Sequence, residues 1–324
     1  MARLGGDNER FEAVLGAEVH APEQVEAWAR AAGFALETAI APGVQVDRMG
    51  ELLALDGIDS AFMADVVPTI WRFTALSADD ALWARHAGHV AFQFSGGRDS
   101  TTALYKLRSR WSEMTVYHVD TGDQFPEARA VVQQVFADLA AADVAVITLT
   151  GNVALTRERI GYPSDVVPTD CTEIGRMVSG SGLKLIDRYQ CCALNLMNPL
   201  HAQMRDDGIT LIVRGQRDDE YAAPPMRSGD SADGFEVLYP IQSWSAAQVD
   251  EYIRAHALPV APFYAAGTRR APECMGCTAW WDEGRAQYMR QHHPEQHRVV
   301  MARMADIKEA IGKQLAWLNS EMEA

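Results

Sequence analysis

The chain has 324 residues, 48% apolar and 23% charged, enough to bury a substantial core without disulfide staples. Its formal net charge of −15, with a pI near 5, repels phosphate backbones and anionic lipid, so nucleic acid is expected to reach it only through a partner protein. No run approaches about 18 uninterrupted apolar residues, and Met1 to Arg10 holds no apolar stretch ahead of a cleavage site, which predicts a cytoplasmic chain without membrane attachment.

In chain order, residues 1–86 read as an N-terminal helical subdomain. Pro22 to Ala32 and Val46 to Leu55 alternate polar and apolar positions at helical spacing, and Ser77 caps a short helix over Ala81 to His86. From 87 to 285 the texture becomes strand, loop, helix, repeated. His89 to Phe94, Met114 to Val119, Val144 to Leu149 and Thr210 to Arg214 read as strands. Thr101 to Arg110, Glu127 to Ala141 and Ser245 to His256 read as helices. Strands separated by helices predict an α/β fold, a twisted parallel sheet with helices on both faces. Residues 286–324 form a helical tail, with Met304, Ile307, Ile311, Leu315 and Leu318 on one face of a closing helix.

The loop Ser95-Gly96-Gly97-Arg98-Asp99-Ser100 joins the first of these strands to a helix. Backbone N–H groups at a helix start, approached closely because glycine has no Cβ, form an anion site. Ser95 and Ser100 add hydroxyls, Arg98 a cation, and Asp99 a carboxylate for Mg²⁺ or for capping the helix. Neither the G-x-x-x-x-G-K-[ST] nor the G-x-G-x-x-G spacing is present.

The hexapeptide resembles the S-G-G-x-D-S loop of the PP-loop ATP pyrophosphatases and the adenylyl-sulfate and phosphoadenylyl-sulfate reductase superfamily. Val116 to Glu127, containing Asp120-Thr-Gly, is similar to that family's second strand and turn, Arg214-Gly-Gln-Arg217 to its later basic loop, and Leu238 to Trp244 to its P-L-x-x-W segment. The likeness runs over about residues 88 to 285. It implies ATP with Mg²⁺ on residues 95–100, with Asp120 and Arg214 at the nucleotide and Arg98, Asp99 and Arg217 in catalysis. The alternatives are a turn cap for Asp120 and a solvated basic pair for the two arginines; Arg269 and Arg270 are weaker phosphate candidates.

The five cysteines are an odd number and clustered, which favours metal or redox chemistry over disulfides. Cys191-Cys192 and Cys274-Met-Gly-Cys277 offer four thiolates in two tight pairs, open to a [4Fe–4S] cluster, to zinc or to free thiols. Adjacent cysteines reach different irons of a cluster more easily than one small zinc ion. The order Cys-Cys then C-x-x-C is similar to the [4Fe–4S] signature of the assimilatory adenylyl-sulfate reductases, although Asn195 and Leu196 stand where that family has Arg and Lys. Cys171 reads as a buried thiol or, alternatively, as a persulfide carrier.

The reductases of this superfamily finish with E-C-G-[IL]-H, and here no cysteine follows Cys277. With its intact loop, the resemblance therefore implies an enzyme that cleaves ATP between the α and β phosphates, adenylates an acceptor and supports sulfur insertion, as in DNA phosphorothioation or other thiolation. A cysteine desulfurase or other sulfur donor is the expected partner, and a homodimer is compatible with the sequence. Sulfonucleotide reduction to sulfite, and a noncatalytic nucleotide-sensing subunit of a sulfur-modification complex, are the alternatives.

Overall fold

The computed structural model describes residues 2–6, 9–14, 22–40, 70–220, 222, 224–269 and 273–323. The helix expected over Val46 to Leu55, and Arg270, lie outside the described residues. The chain divides into two compact units, Met1–Ala87 and Gly88–Ala324.

The first unit is not built of helices alone. Strands β1 (Ala2–Gly6) and β2 (Arg10–Val14), helix α1 (Pro22–Ala31), strands β3 (Phe34–Ile40) and β4 (Ile70–Ala75), and helix α2 (Ala78–Arg85) follow one another, and the strands form an antiparallel sheet in the order β1-β2-β4-β3. Helical spacing was a sound guide for Pro22–Ala31, which ends at Gly33 with φ of +84°, and for α2, where Ser77 Oγ accepts the Asp80 N–H. It passed over β3, where Ala35, Thr38 and Ala39 weaken the two-residue alternation, and β4, where the adjacent Ile70 and Trp71 interrupt it.

The second unit is the expected α/β body. After β5 (Val90–Gln93) come α3 (Arg98–Lys106), β6 (Thr115–Asp120), α4 (Pro126–Ala141), β7 (Val146–Thr150) and α5 (Val153–Arg159). Short parallel strands β8 (Tyr162–Ser164) and β9 (Leu185–Asp187) flank α6 (Glu173–Ser179). A helical run follows: α7 (Arg188–Cys192), a π-helical stretch over Ala193–Met197, and α8 (Asn198–Asp206). Then come β10 (Leu211–Val213), β11 (Ser231–Ala232), β12 (Phe235–Leu238), α9 (Ala246–His256), α10 (Arg285–His292) and α11 (Pro294–Glu323).

The main sheet has the order β11-β12-β10-β5-β6-β7, parallel except for the β11 hairpin edge. On one face Ala91, Tyr117, Val119, Ile212 and Val237 pack with Leu200 and Met204 of α8. On the other, His118 meets Phe136 of α4 edge to face at 5.5 Å. Alternate residues of each strand thus face opposite helical layers, and the central strands β5, β6 and β10 are buried on both faces. β5 leads to β6 and β7 on one side, while β10 returns to its other side. That reversal opens a crevice at the strand C-termini, where α/β sheets bind ligands.

In the closing helix only Ile307 of the expected face is fully buried, while Leu315 and Leu318 are exposed. Where α4 begins, Glu127 accepts Tyr288 Oη–H at 2.7 Å and lies 2.9 Å from His293 Nε2, joining α4 to α10 and the residue before α11. Burial opposes the charged carboxylate, but these partners outweigh it and hold its pKa below the ordinary value. A depressed folded pKa contributes stability above the unfolded value of about 4.3 that is lost as pH falls through the folded pKa. Glu127→Gln should therefore lower the thermal midpoint at neutral pH and flatten its decline below about pH 4, as measured by thermal melts across pH.

Candidate functional site

A cavity of about 360 Å³ occupies the crevice. Gln93, Phe94, Ser95, Gly97, Asp99 and Ser100 line it from the end of β5 and the start of α3, Tyr117 and Val119 from β6, Leu196 and Met197 from the π-helical stretch, Leu200 from α8, and Arg214 to Gln216 from the end of β10. Glu220, Tyr264, Arg269 and Glu273 complete the wall. The turn is tight because Gly96 takes φ of +80°, where a Cβ would lie 2.6 Å from Val132 Cγ2. The Ser95 and Ser100 hydroxyls are 3.0 Å apart, Ser100 Oγ donates to the Gly97 carbonyl, and α3 starts at Arg98 with its N-terminus toward the cavity turn.

The predicted residues divide by position. Ser95, Gly97, Asp99, Ser100 and Arg214 line the cavity, and Gly96 shapes the turn beside it. Arg98 and Asp120 are not among the lining residues. The Arg98 guanidinium reaches Asp250 of α9 at 3.1 Å and lies over the Tyr264 ring, because a side chain at the first position of α3 is carried around the helix toward α9. Asp120 accepts the Gly122 N–H at 2.8 Å as a turn cap and faces Arg129 at 3.7 Å. Arg217 is 4% exposed and packs behind the loop, with Nε donating to Asp99 Oδ1 at 2.7 Å and further contacts to Asp219 and Glu220. Three carboxylates consume its charge, so it orients Asp99 from behind.

Several wall residues escaped the sequence. Tyr264 receives the Arg98 N–H at 3.0 Å, and burial pushes its phenol pKa up, keeping it a neutral hydroxyl. Gln93 accepts from Arg214, whose Nη2 is also 3.2 Å from His201 Nε2. No local pattern marks them, since Tyr264 meets Arg98 across 166 positions of sequence.

A second cavity, of about 180 Å³, shares Leu196 and Glu273 with the first. Cys191, Cys192, Cys274 and Cys277 all line it, with Arg157, Arg188, Asn195 and Trp280. The Cys191-Cys192 pair ends α7 just where the helix widens into its π-helical stretch, a distortion frequent at functional sites. Cys274 to Cys277 form a turn closed by the Cys277 N–H to the Cys274 carbonyl, and Asp123 anchors it by accepting the Met275 and Gly276 N–H groups. All five cysteines are free thiols.

Burial, then the neighbouring thiols, pushes Cys191 up to about 11 and Cys192 up to about 12, and burial raises Cys274 as well. These three thiols are thus harder to ionise than free ones, so a cationic group that binds them must displace their protons. Among the described residues no three His, Cys, Asp or Glu side chains are placed to hold a single metal ion. Thiols that ring a cavity, rather than converging on one point, fit an iron–sulfur cluster better than zinc. Cys171 is 2% exposed and packs with Leu185 and Ile307, away from both cavities.

Among the described residues no helix is long and apolar enough to cross a membrane. The chain is 28% identical over 155 residues to an adenosine 5′-phosphosulfate reductase of Burkholderia cepacia, an alignment covering 42% of this chain and 61% of that protein. In structure it is similar to a phosphoadenylyl-sulfate reductase of Candida auris (TM-score 0.40, 18% identity, covering 57% of this chain and 80% of that one). It is also similar to the U34-tRNA thiolase NcsA of Methanococcus maripaludis with its [4Fe-4S] cluster (TM-score 0.34, 10% identity, 68% and 71%). A third similarity is to the NH3-dependent NAD synthetase of Campylobacter jejuni (TM-score 0.36, 12% identity, 71% and 92%). The phosphoadenosine phosphosulfate reductase domain matches residues 89–280, more than half of the chain, with the 95–100 loop and all four cysteines of the second cavity inside the match, and the protein belongs to that family.

Proposed function

We propose that this chain is a sulfur-transfer enzyme that cleaves ATP between its α and β phosphates to adenylate an acceptor, from which sulfide then displaces AMP. The supporting observation is where the thiols stand. All five cysteines are described, four ring the second cavity, Cys171 is buried elsewhere, and none lines the nucleotide cavity. Reduction of a sulfonucleotide needs a thiol at the nucleotide to take the sulfonyl group. Adenylation asks only for positioning and charge.

In this reading the Ser95 and Ser100 hydroxyls and the start of α3 hold the phosphates, and the Asp99 carboxylate, fixed by Arg217, carries Mg²⁺. Arg214 and Arg269 add positive charge at the wall, favouring the departing pyrophosphate. The acceptor oxygen bonds to the α-phosphorus as the bond to pyrophosphate breaks. A [4Fe–4S] cluster bound by Cys191, Cys192, Cys274 and Cys277 would supply iron–sulfur chemistry on the far side of Leu196 and Glu273. The acceptor is DNA, tRNA or a small molecule; the −15 charge assigns a nucleic acid to a partner's presentation. A cysteine desulfurase or similar donor would supply the sulfur as a persulfide, from which a thiol reductant releases sulfide as it is oxidised to a disulfide.

The similarity to the Burkholderia cepacia reductase favours a second reading, reduction of adenylyl sulfate with a thiol supplied from outside the chain. One assay separates them: anaerobic protein with Mg²⁺, following pyrophosphate from ATP beside sulfite from adenylyl sulfate with thioredoxin. Pyrophosphate release that falls about 100-fold in Asp99→Asn is expected. Sulfite formation without pyrophosphate release would replace the proposal with the second reading.

A further inference from the structure

Arg157, on α5, is a buried cation set against four thiols. Its side chain is 8% exposed, and it lines the cysteine cavity. Nη1 donates to Asp123 Oδ2 at 2.5 Å. Nε and Nη2 are buried and have no hydrogen-bond partner. Buried donors are rarely left unmet in folded proteins, because they have surrendered water for nothing, so two on one guanidinium mark an acceptor that binds there. The other arginines of the wall are committed elsewhere. Arg188 lies 4.0 Å from the Trp280 ring centroid and pairs with Asp165, and Arg285 donates to the Cys274 and Ala279 carbonyls. The π-helical stretch after the cysteine pair adds a neutral contact, Asn195 Nδ2 at 3.8 Å from Cys191 Sγ.

We propose that Arg157 is the charge-compensating residue for an iron–sulfur cluster held in this cavity, with Nε and Nη2 donating to sulfide or cysteine sulfur, and that Asp123 moderates its charge. The inference rests on reading the four cysteines as cluster ligands. Four thiolates leave such a cluster anionic, and reduction adds a further negative charge. A cation in a dry pocket favours the reduced form and raises the potential, while the Asp123 carboxylate offsets part of that effect. Asp123 also accepts the Gly276 N–H at 3.0 Å, and its carbonyl accepts the Met275 N–H. One residue of the turn after β6 thus holds both the arginine and the C-x-x-C turn.

The test reconstitutes full-length protein anaerobically with iron and sulfide, then measures iron and sulfide content, the visible spectrum and the midpoint potential. Arg157→Met should lower the potential by at least about 59 mV, a tenfold change in the oxidised-to-reduced ratio of a one-electron couple. Arg157→Lys, which keeps the charge, should recover most of that shift, and Asp123→Asn should move the potential the opposite way. An unchanged potential in Arg157→Met at full iron content overturns the inference. So does loss of the cluster from both Arg157 variants while circular dichroism shows them folded. If Arg157→Met does not fold, Asp123→Asn decides: a positive shift supports the inference, and no shift or a negative one overturns it. Wild-type protein that takes up no iron and sulfide removes the cluster reading and this inference with it, an outcome told apart from the others because it precedes any substitution.

Discussion

Replacing Arg217 with methionine should lower the thermal midpoint of the Gly88–Ala324 unit by about 6–12 °C and remove nucleotide binding. The guanidinium is 4% exposed and touches Asp99, Asp219 and Glu220. Taking one partner out of a buried ion pair leaves its counter-charges uncompensated, at about 3–5 kcal/mol. Asp219 is 47% exposed at its side chain and keeps contact with water, so the lower end, about 3 kcal/mol, applies. For a domain of this size each kcal/mol moves the midpoint by about 2–4 °C. The functional loss has a separate cause. Asp99 Oδ1 is fixed by Arg217 Nε, and without it the carboxylate at the cavity wall is free to rotate. A thermal melt and a calorimetric titration with ATP and Mg²⁺ read the two effects independently. An unchanged melting temperature would mean that water satisfies the three carboxylates and that the ion network is dispensable.

Gly215→Ala should weaken nucleotide binding by about 5–150-fold while leaving the protein folded. A Cβ at 215 would stand 2.4 Å from the Asp99 carbonyl oxygen and 2.6 Å from Ser100 Cα. These are backbone atoms at the start of α3, so no side chain can rotate aside. The loop after β10 or the first turn of α3 must move, and overpacking of this kind costs about 1–3 kcal/mol. Expressed in binding, that range is the fold-change given. Gly182→Ala is the control, because its Cβ would meet nothing within 4 Å. Equal affinities for the two variants would show that the β10 loop does not set the geometry of the cavity.

Much of the second unit was legible in the sequence because its signals are local. Capping of α9 by Ser245, with Gln248 reciprocating, is written in a span of four residues. Strands β5, β6 and β10 read as apolar runs because both of their faces are covered. The S-G-G-R-D-S loop marked a turn that lines the first cavity, and cysteine spacing marked the four thiols that line the second. The first unit was less legible: strands that recruit alanine and threonine carry little periodic contrast, and their pairing partners lie far apart in the chain, as Phe34 with Ala75 does.

The sequence by itself determined which segments become strand, loop and helix around the 95–100 turn, and which four thiols come in close pairs, because both depend on neighbours within a few residues. Tertiary structure alone decided how those parts are used. Packing of α3 against α9 drew Arg98 to Asp250, and the return of β10 beside β5 put Arg217 behind Asp99. The fold also seated Arg157, from a helix 34 residues before Cys191, among the cysteines with two donors unmet. Charge and hydrogen-bond partnership are decided by distance in space, and a parallel sheet with crossover helices makes that distance independent of separation along the chain.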